Sequence, residues 1–294
     1  MHIQHIEDFC NKVAKLKVAV IGETIIDEFI TVHYEGQSMK SFCPVFRLSN
    51  NDEKQIQQGG TLAIANHIRN FAKQVDFISN TKNEIVKTRL VDADGKKKHV
   101  EINKFDTSGF SKIDIDTRDY DLVIVADFGH GFCDHLNIND GFHLMCQTNS
   151  NNFGFNRLSK WREKRKKAIC VDLREASLQV NKRIGHCTDA DAKEIFNYEL
   201  NSELLFVTLG AKGSLLTDGN RVVRHDSFKS TIVDTIGAGD TYFSFASLCS
   251  TVYPDLKDVL TIPSLAAALS TTWLCNEQSV TPDKLLNFAA SFNK

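Results

Sequence analysis

The sequence lacks any stretch rich in proline, glycine and serine, and it contains only four prolines in 294 residues. Without a flexible spacer there is no natural point at which to divide it. Its length suits one large α/β unit with a substantial core, so residues 1–294 are read as one domain. A charge excess is missing too: 35 lysines and arginines stand against 37 aspartates and glutamates, which removes the global basic footprint of a nucleic-acid binder. Two local basic runs remain, at 96–98 and 160–167. The first reads as a hairpin tip after Asp94-Gly95 and the second as a solvated helix face. No apolar run reaches the span of a membrane helix. The start, Met1-His2-Ile3-Gln4-His5, lacks the basic region and long apolar core of a secretory leader. The eight cysteines are scattered with no C-x-x-C pair, which argues against a disulfide framework and fits reduced thiols. These absences point to a cytoplasmic protein with neither a membrane nor a nucleic acid as partner.

What is present is a regular alternation. Apolar runs at residues 17–21, 75–78, 122–126, 143–146, 168–171 and 204–208 read as strands. Residues 61–73 read as a helix with Leu62, Ile68 and neighbouring apolar residues on one side. Further helices are expected at 240–251, 263–276 and 282–292. Continuous apolar strands alternating with helices imply a mostly parallel sheet covered on both faces. Two regions differ. Residues 28–34 and 44–48 have extended or alternating patterns, and 85–93 and 98–104 flank the Asp94-Gly95 turn as a hairpin. These segments, about 28–48 and 85–104, are expected to form a small accessory β-sheet. Hinged over the carboxyl ends of the main strands, it would close a site and exclude water.

The densest chemistry lies in the run Val233-Asp234-Thr235-Ile236-Gly237-Ala238-Gly239-Asp240-Thr241. Glycines let backbone N–H groups approach a ligand closely. The helix that starts there adds unpaired N–H donors and the positive end of its dipole. The combination is an anion site. Asp240 beside it could take a proton from a hydroxyl attacking a bound phosphate, which is phosphoryl-transfer chemistry.

Other motifs follow in order. Gly22-Glu23-Thr24-Ile25-Ile26-Asp27 leaves the first strand at the end where α/β sheets bind ligands. Gly59-Gly60 opens a helix holding Asn66 and His67. Asp127-Phe128-Gly129-His130-Gly131 follows the strand at 122–126. An asparagine-rich loop spans 147–156. Asp172-Leu173-Arg174-Glu175 and Thr208-Leu209-Gly210-Ala211-Lys212-Gly213 follow two later strands. Asp191-Ala192-Lys193-Glu194 rivals the 172–175 quartet, but it leaves a tight span before Thr208 for a helix and a strand, where the span from Asp172 is comfortable.

From about Val18 to Asn287 the chain resembles the ribokinase (PfkB-type) carbohydrate kinases. It looks closest to a heptose-phosphate-kinase-like subgroup often fused to nucleotidyltransferases. The resemblance implies an α/β, ribokinase-like fold with a small β-sheet lid, ATP as phosphoryl donor and Mg2+. It implies that Gly237, Ala238 and Gly239 form the hole for the transferring group and that Asp240 is the general base. It assigns Thr208, Gly210, Gly213 and Asp234 to the nucleotide, and Glu175 with Asp172 to the metal. Asp27, Gly59, Gly60, Asn66, Arg89 and Asp127 are the acceptor-side candidates. For Asn66 and His67 a helix-packing role stays open. Arg89 has two readings, contact with an acceptor phosphate or carboxylate, or pairing with Asp92 or Asp94. The roles of His130 and of the 147–156 loop stay open as well.

The sequence departs from the family pattern in three ways: Glu23 stands where aspartate is usual, Asp172 where asparagine is usual, and the segment from Gly60 to Lys87 is short. The implied activity is ATP-dependent phosphorylation of an alcohol on a sugar or sugar phosphate. The alternatives are a nucleoside or vitamin-like acceptor, or a degenerate binder that regulates without turnover. A lid sheet of this kind can pair with that of a second copy, which allows a homodimer.

Overall fold

The computed structural model describes residues 3–49, 54–80, 84–93, 97–106, 110–148, 156–198 and 200–293. The chain opens with helix α1 (Ile3–Val13), strand β1 (Lys17–Gly22) and the long strand β2 (Thr24–Gln37). Strands β3 (Pro44–Leu48) and β4 (Gln55–Gly60), helix α2 (Thr61–Arg69) and strand β5 (Gln74–Ser79) come next. Then follow β6 (Ile85–Val91), β7 (Lys98–Phe105), β8 (Ile113–Ile115), β9 (Leu122–Asp127), β10 (Leu136–Ile138) and β11 (Phe142–Cys146). Beyond them lie β12 (Lys166–Asp172), α3 (Leu173–Gln179), α4 (Asp189–Asn197), β13 (Ser202–Thr208), β14 (Ser214–Thr217) and β15 (Val222–His225). The chain closes with α5 (Ala238–Val252), α6 (Leu256–Val259), α7 (Thr261–Ser270) and α8 (Pro282–Ala290).

Eight strands form the central sheet in the order β15-β14-β13-β12-β11-β9-β1-β5. The six from β13 to β5 are parallel, and β14 and β15 join antiparallel at one edge. Successive side chains of a strand point to opposite faces, and the core divides accordingly. Val18 and Val20 enter one apolar cluster with α1, α2, α5 and α7, while Ala19 and Ile21 enter another with α3 and α4. Burial on both faces explains why these strands read as unbroken apolar runs.

The lid is a second, five-stranded sheet, with path β3-β2-β6-β7 and β4 paired to β2. Only β2 and β6 run parallel in it. The expected segments 28–48 and 85–104 are its core, and β4 is a strand not anticipated. Gln55-Ile56-Gln57-Gln58 shows no apolar alternation of its own, and pairing with the first half of β2 makes it a strand. Residues 94–96, the expected hairpin tip, lie outside the described residues, but β6 and β7 pair antiparallel around them.

Three expectations are corrected. The helix from Thr61 ends at Arg69, where the chain turns so that Asn70 Nδ2 donates to Val280 O at 2.8 Å. The helix expected over 263–276 stops at Ser270, and residues 271–276 turn back toward the lid. The basic run at 160–167 is no solvated helix. Leu158–Trp161 is a 3-10 turn, and Lys166 opens β12 with its ammonium donating to Trp161 O at 2.7 Å and Lys164 O at 2.6 Å. Among the described residues, no helix is long and apolar enough to cross a membrane.

Candidate active site

A cavity of about 1360 Å³ lies between the carboxyl ends of the central strands and the lid. The lid supplies Asp27, Lys87 and Arg89, β12 supplies Asp172, the β13–β14 turn supplies Thr208, Gly210 and Gly213, and the start of α5 supplies Gly237 to Asp240. The chain thus brings together most of the motifs that were separate in sequence. Gly60 also lines the cavity, with Gln147 at the start of the asparagine-rich loop.

Its floor is the first turn of α5. Gly237 caps the helix at φ 82°, a left-handed conformation that suits glycine. Ala238 N–H bonds to Thr235 O at 3.3 Å and Thr241 N–H to Gly237 O at 2.9 Å. The Gly239 and Asp240 N–H groups between them have no carbonyl partner among the described residues. A side chain at Gly239 would meet nothing within 4 Å, and both residues line the cavity at a positive helix end. Burial and the neighbouring Asp27 carboxylate, opposed by Lys87, raise the pKa of Asp240 to about 7. A base that is half ionised near neutrality suits proton abstraction at that pH.

On the acceptor side, Asp27 is buried and bonded to Arg89 Nη1, and Arg89 Nε donates to Glu101 Oε2 at 3.0 Å. Burial raises the Asp27 carboxyl, against the pull of Arg89. Arg89 therefore pairs with Asp27 and Glu101, whereas Asp92 bonds to His99 Nε2 at 2.6 Å. Gly59 does not line the cavity but permits its construction. A Cβ there would fall 2.5 Å from Asp27 Oδ2 and 2.7 Å from Asn276 Nδ2.

Four candidates sit elsewhere. Asn66 lies on the outer side of α2 and accepts from Arg69 Nη1 at 2.8 Å. Its neighbour His67 is a packing residue, because Nδ1 accepts from Val280 N at 3.0 Å and Nε2 meets Thr241 Oγ1 at 3.0 Å. Asp127 has no exposed surface and turns away from the cavity: Trp161 Nε1 donates to it at 2.8 Å, and Lys160 Nζ lies 2.9 Å away. Glu23 explains this placement. Its buried carboxylate accepts N–H bonds from Phe128 at 2.6 Å, His130 at 3.0 Å and Phe132 at 3.1 Å, folding the 127–132 loop inward. Asp234 is taken by Lys98 of β7, at 2.9 Å. Residues 149–155 of the asparagine-rich loop lie outside the described residues. At its end, Asn156 donates to Asp127 O at 3.1 Å.

The proposed metal pair forms the N-terminal cap of α3. Asp172 Oδ1 accepts Glu175 N–H at 2.7 Å, and Glu175 Oε2 accepts Asp172 N–H at 2.8 Å. Glu175 Oε1 accepts Thr148 N–H at 2.9 Å, and burial next to Asp172 raises the Glu175 carboxyl. Only Asp172 faces the cavity. Magnesium keeps several waters and takes one or two carboxylates plus phosphate oxygens. This donor set fits as a contact for a nucleotide-borne ion rather than as a closed cage. The rival Asp191 caps α4 on the surface with Thr188 and Lys182. Glu23, Asp127 and Cys133 also cluster, but both carboxylates are already hydrogen-bonded inside the protein.

Two cavity residues escaped the sequence reading. Lys87 lies two residues before Arg89 on β6, so both face inward by the two-residue period of a strand; that signal was available. Its side chain is buried at the cavity wall and has no hydrogen-bond or ion-pair partner among the described residues. Asn276 had no signal, because the turn after α7 delivers it.

Comparison with solved structures bears on the fold. The chain superposes on a ribokinase from Thermotoga maritima with a TM-score of 0.68 at 16% identity, over 94% of this chain and 99% of that one. The fold is ribokinase-like. The ribokinase-like fold is shared with Arabidopsis thaliana ribokinase complexed with ribose and ATP, at a TM-score of 0.64 and 12% identity over 93% of this chain and 98% of that one. It is shared too with the Methanocaldococcus jannaschii nucleoside kinase, at 0.63 and 15% over 94% and 98%. A family model, pfkB family carbohydrate kinase, matches residues 157–273, which run from before β12 to beyond α7. No curated protein sequence matches significantly.

Proposed function

We propose that the protein is an ATP-dependent phosphotransferase acting on an alcohol group of a sugar or sugar phosphate. One observation carries the reading: the Asp240 carboxylate and the free Gly239 and Asp240 N–H groups share one helix end on the floor of a cavity roofed by the lid. The same two features are what transfer between oxygens needs, a base for the hydroxyl and donors for the moving charge. The hydroxyl proton passes to Asp240, the oxygen forms its bond to the γ-phosphorus, and the bond to the β–γ bridging oxygen breaks to release ADP. Thr208, Gly210 and Gly213 line the nucleotide side. When bound, magnesium at Asp172 would neutralise phosphate charge.

Lys87 bears on the acceptor. Arg89 is balanced by Asp27 and Glu101, whereas Lys87 is a buried cation with no bonded partner. This favours an acceptor that brings its own anion, as a sugar phosphate does. The lid's outer face bears on assembly. One row across it reads Ile56, Glu28, Thr88, Ile102, and both isoleucines are more than half exposed, at 60% and 55%. We place a second copy of the chain on that face.

Asp240→Asn tests the activity. It keeps the shape of the site and removes the base, so ATP-dependent phosphorylation of sugar and sugar-phosphate acceptors should fall at least about a hundredfold while ATP binding is retained. Unchanged turnover would overturn the assignment.

A further inference from the structure

Asp234 stands at the entry to the anion site, yet its carboxylate points away from the cavity. Its Oδ1 accepts the N–H of Thr235 at 2.8 Å and of Ile236 at 3.2 Å, which shapes the turn leading into Gly237. Lys98 Nζ donates to both of its oxygens, at 2.9 and 3.0 Å. The aspartate side chain is 6% exposed and the lysine 26%, so the pair is largely withdrawn from water and from salt screening. Lys98 is the first residue of β7, and β7 belongs to the lid.

A second contact reinforces the first. Val91, the cross-strand partner of Lys98, forms a small apolar cluster with Phe29 of β2 and Cys275, and Ile236 packs against it. The lid therefore holds residues 234–236 by charge on one side and by apolar contact on the other. Next in the chain, Gly237 is hemmed in, because a Cβ there would lie 2.6 Å from Asn276 Oδ1.

We propose that Lys98 is a positioning residue: by holding Asp234 it makes the seated lid the condition under which the Gly237–Asp240 turn takes its working shape. Lid seating and assembly of the anion site are then one event. Lys98 does not line the cavity and acts through Asp234 alone. Lifting the lid removes the counter-ion of a buried carboxylate that caps two amides, an unfavourable state, and frees a turn whose glycine has conformations to spare. The inference rests on the kinase reading only for its activity readout.

The test compares whole wild-type protein with Lys98→Met and Lys98→Arg, without ligand, by hydrogen–deuterium exchange at the Thr235, Ile236 and Thr241 amides. Lys98→Met should speed exchange there by roughly tenfold, as a lost ion pair of this kind loosens local structure, and Lys98→Arg should stay near wild type. With ATP and acceptor, Lys98→Met should lower kcat by about ten- to a hundredfold with little change in the KM for ATP, the signature of misplaced groups rather than lost binding. If Lys98→Met does not fold, the neutral pair Lys98→Met/Asp234→Asn replaces it and should show the same faster exchange. Wild-type exchange in a folded variant lacking Lys98 overturns the proposal. Faster exchange in a protein that phosphorylates no acceptor supports the tie and defeats the kinase reading instead.

Discussion

Lys87 tempers the pH at which the proposed site works, because it opposes the burial and the Asp27 charge that raise Asp240. Asp240 accepts a proton only when ionised, and burial and the Asp27 charge raise its pKa to about 7, against the pull of Lys87. The sign follows directly. Below pH 7 the base is mostly protonated, so kcat falls close to tenfold for each pH unit; above it, the rate levels off. Lys87→Met removes the opposing cation while keeping most of the volume. A unit charge several ångströms away at an effective dielectric near 20 is worth on the order of 2 kcal/mol, somewhat more than one pKa unit. The acid limb of the kcat profile should therefore move alkaline by about one pH unit. At roughly pH 6 the variant should be about tenfold slower than wild type, and above roughly pH 9 the two should converge. Lys87→Arg keeps the charge and should keep the limb. The assay is ADP release at saturating ATP and acceptor across the pH range, with kcat and KM separated. Any loss of an acceptor-phosphate contact enters KM for the acceptor. A limb that stays in place in Lys87→Met would refute the assignment of Asp240 as the titrating base, or of Lys87 as the charge that tunes it.

Asp240→Asn should also change stability with pH. A carboxyl whose pKa is raised on folding binds its proton more tightly in the folded chain, so ionising it weakens folding progressively as pH climbs from about 4 through 7. The amide escapes that penalty, and thermal melts should show the variant more stable by about 1–3 kcal/mol at pH 8 and unchanged near pH 4; equal melts at pH 8 would count against the raised pKa. Asp127→Ala should be a folding variant rather than a catalytic one. It strands the buried Trp161 indole N–H and removes one of the two carboxylates paired with Lys160, Asp134 being the other, and should cost about 1–3 kcal/mol by denaturant unfolding, with kcat per folded molecule near wild type. Ile102→Lys places a charge at the β7 end of the lid's outer row. Sedimentation should show wild type as a dimer and the variant as a monomer, and a monomeric wild type would remove that interface.

The frame of the fold was legible because its physics is local. Strands buried on both faces must be apolar at every position, so β1, β9 and β12 announced themselves as runs such as Val18-Ala19-Val20-Ile21. The elements that were misread are those whose shape comes from partners. β4 is a strand because β2 offers it an edge, and Lys166 reads as solvated until its ammonium donates to the carbonyls of Trp161 and Lys164 that let it be buried.

The site divides along the same line. The backbone motifs reach the cavity: Gly237 to Asp240, Gly210 and Gly213 line it, and they owe their positions to turn geometry, which a few consecutive residues determine. Side-chain roles transferred badly wherever a long-range partner claimed the group first. Glu23 is the clearest instance. One methylene longer than an aspartate, it reaches three N–H groups of the 128–132 loop and turns that loop, with Asp127 and His130, into the interior. Asp234 was likewise claimed from the lid by Lys98, a residue that no spacing rule connects to it. Lys87, by contrast, is buried at the cavity wall and has no hydrogen-bond or ion-pair partner among the described residues. That is the physical ground for assigning it to the acceptor and to the tuning of Asp240.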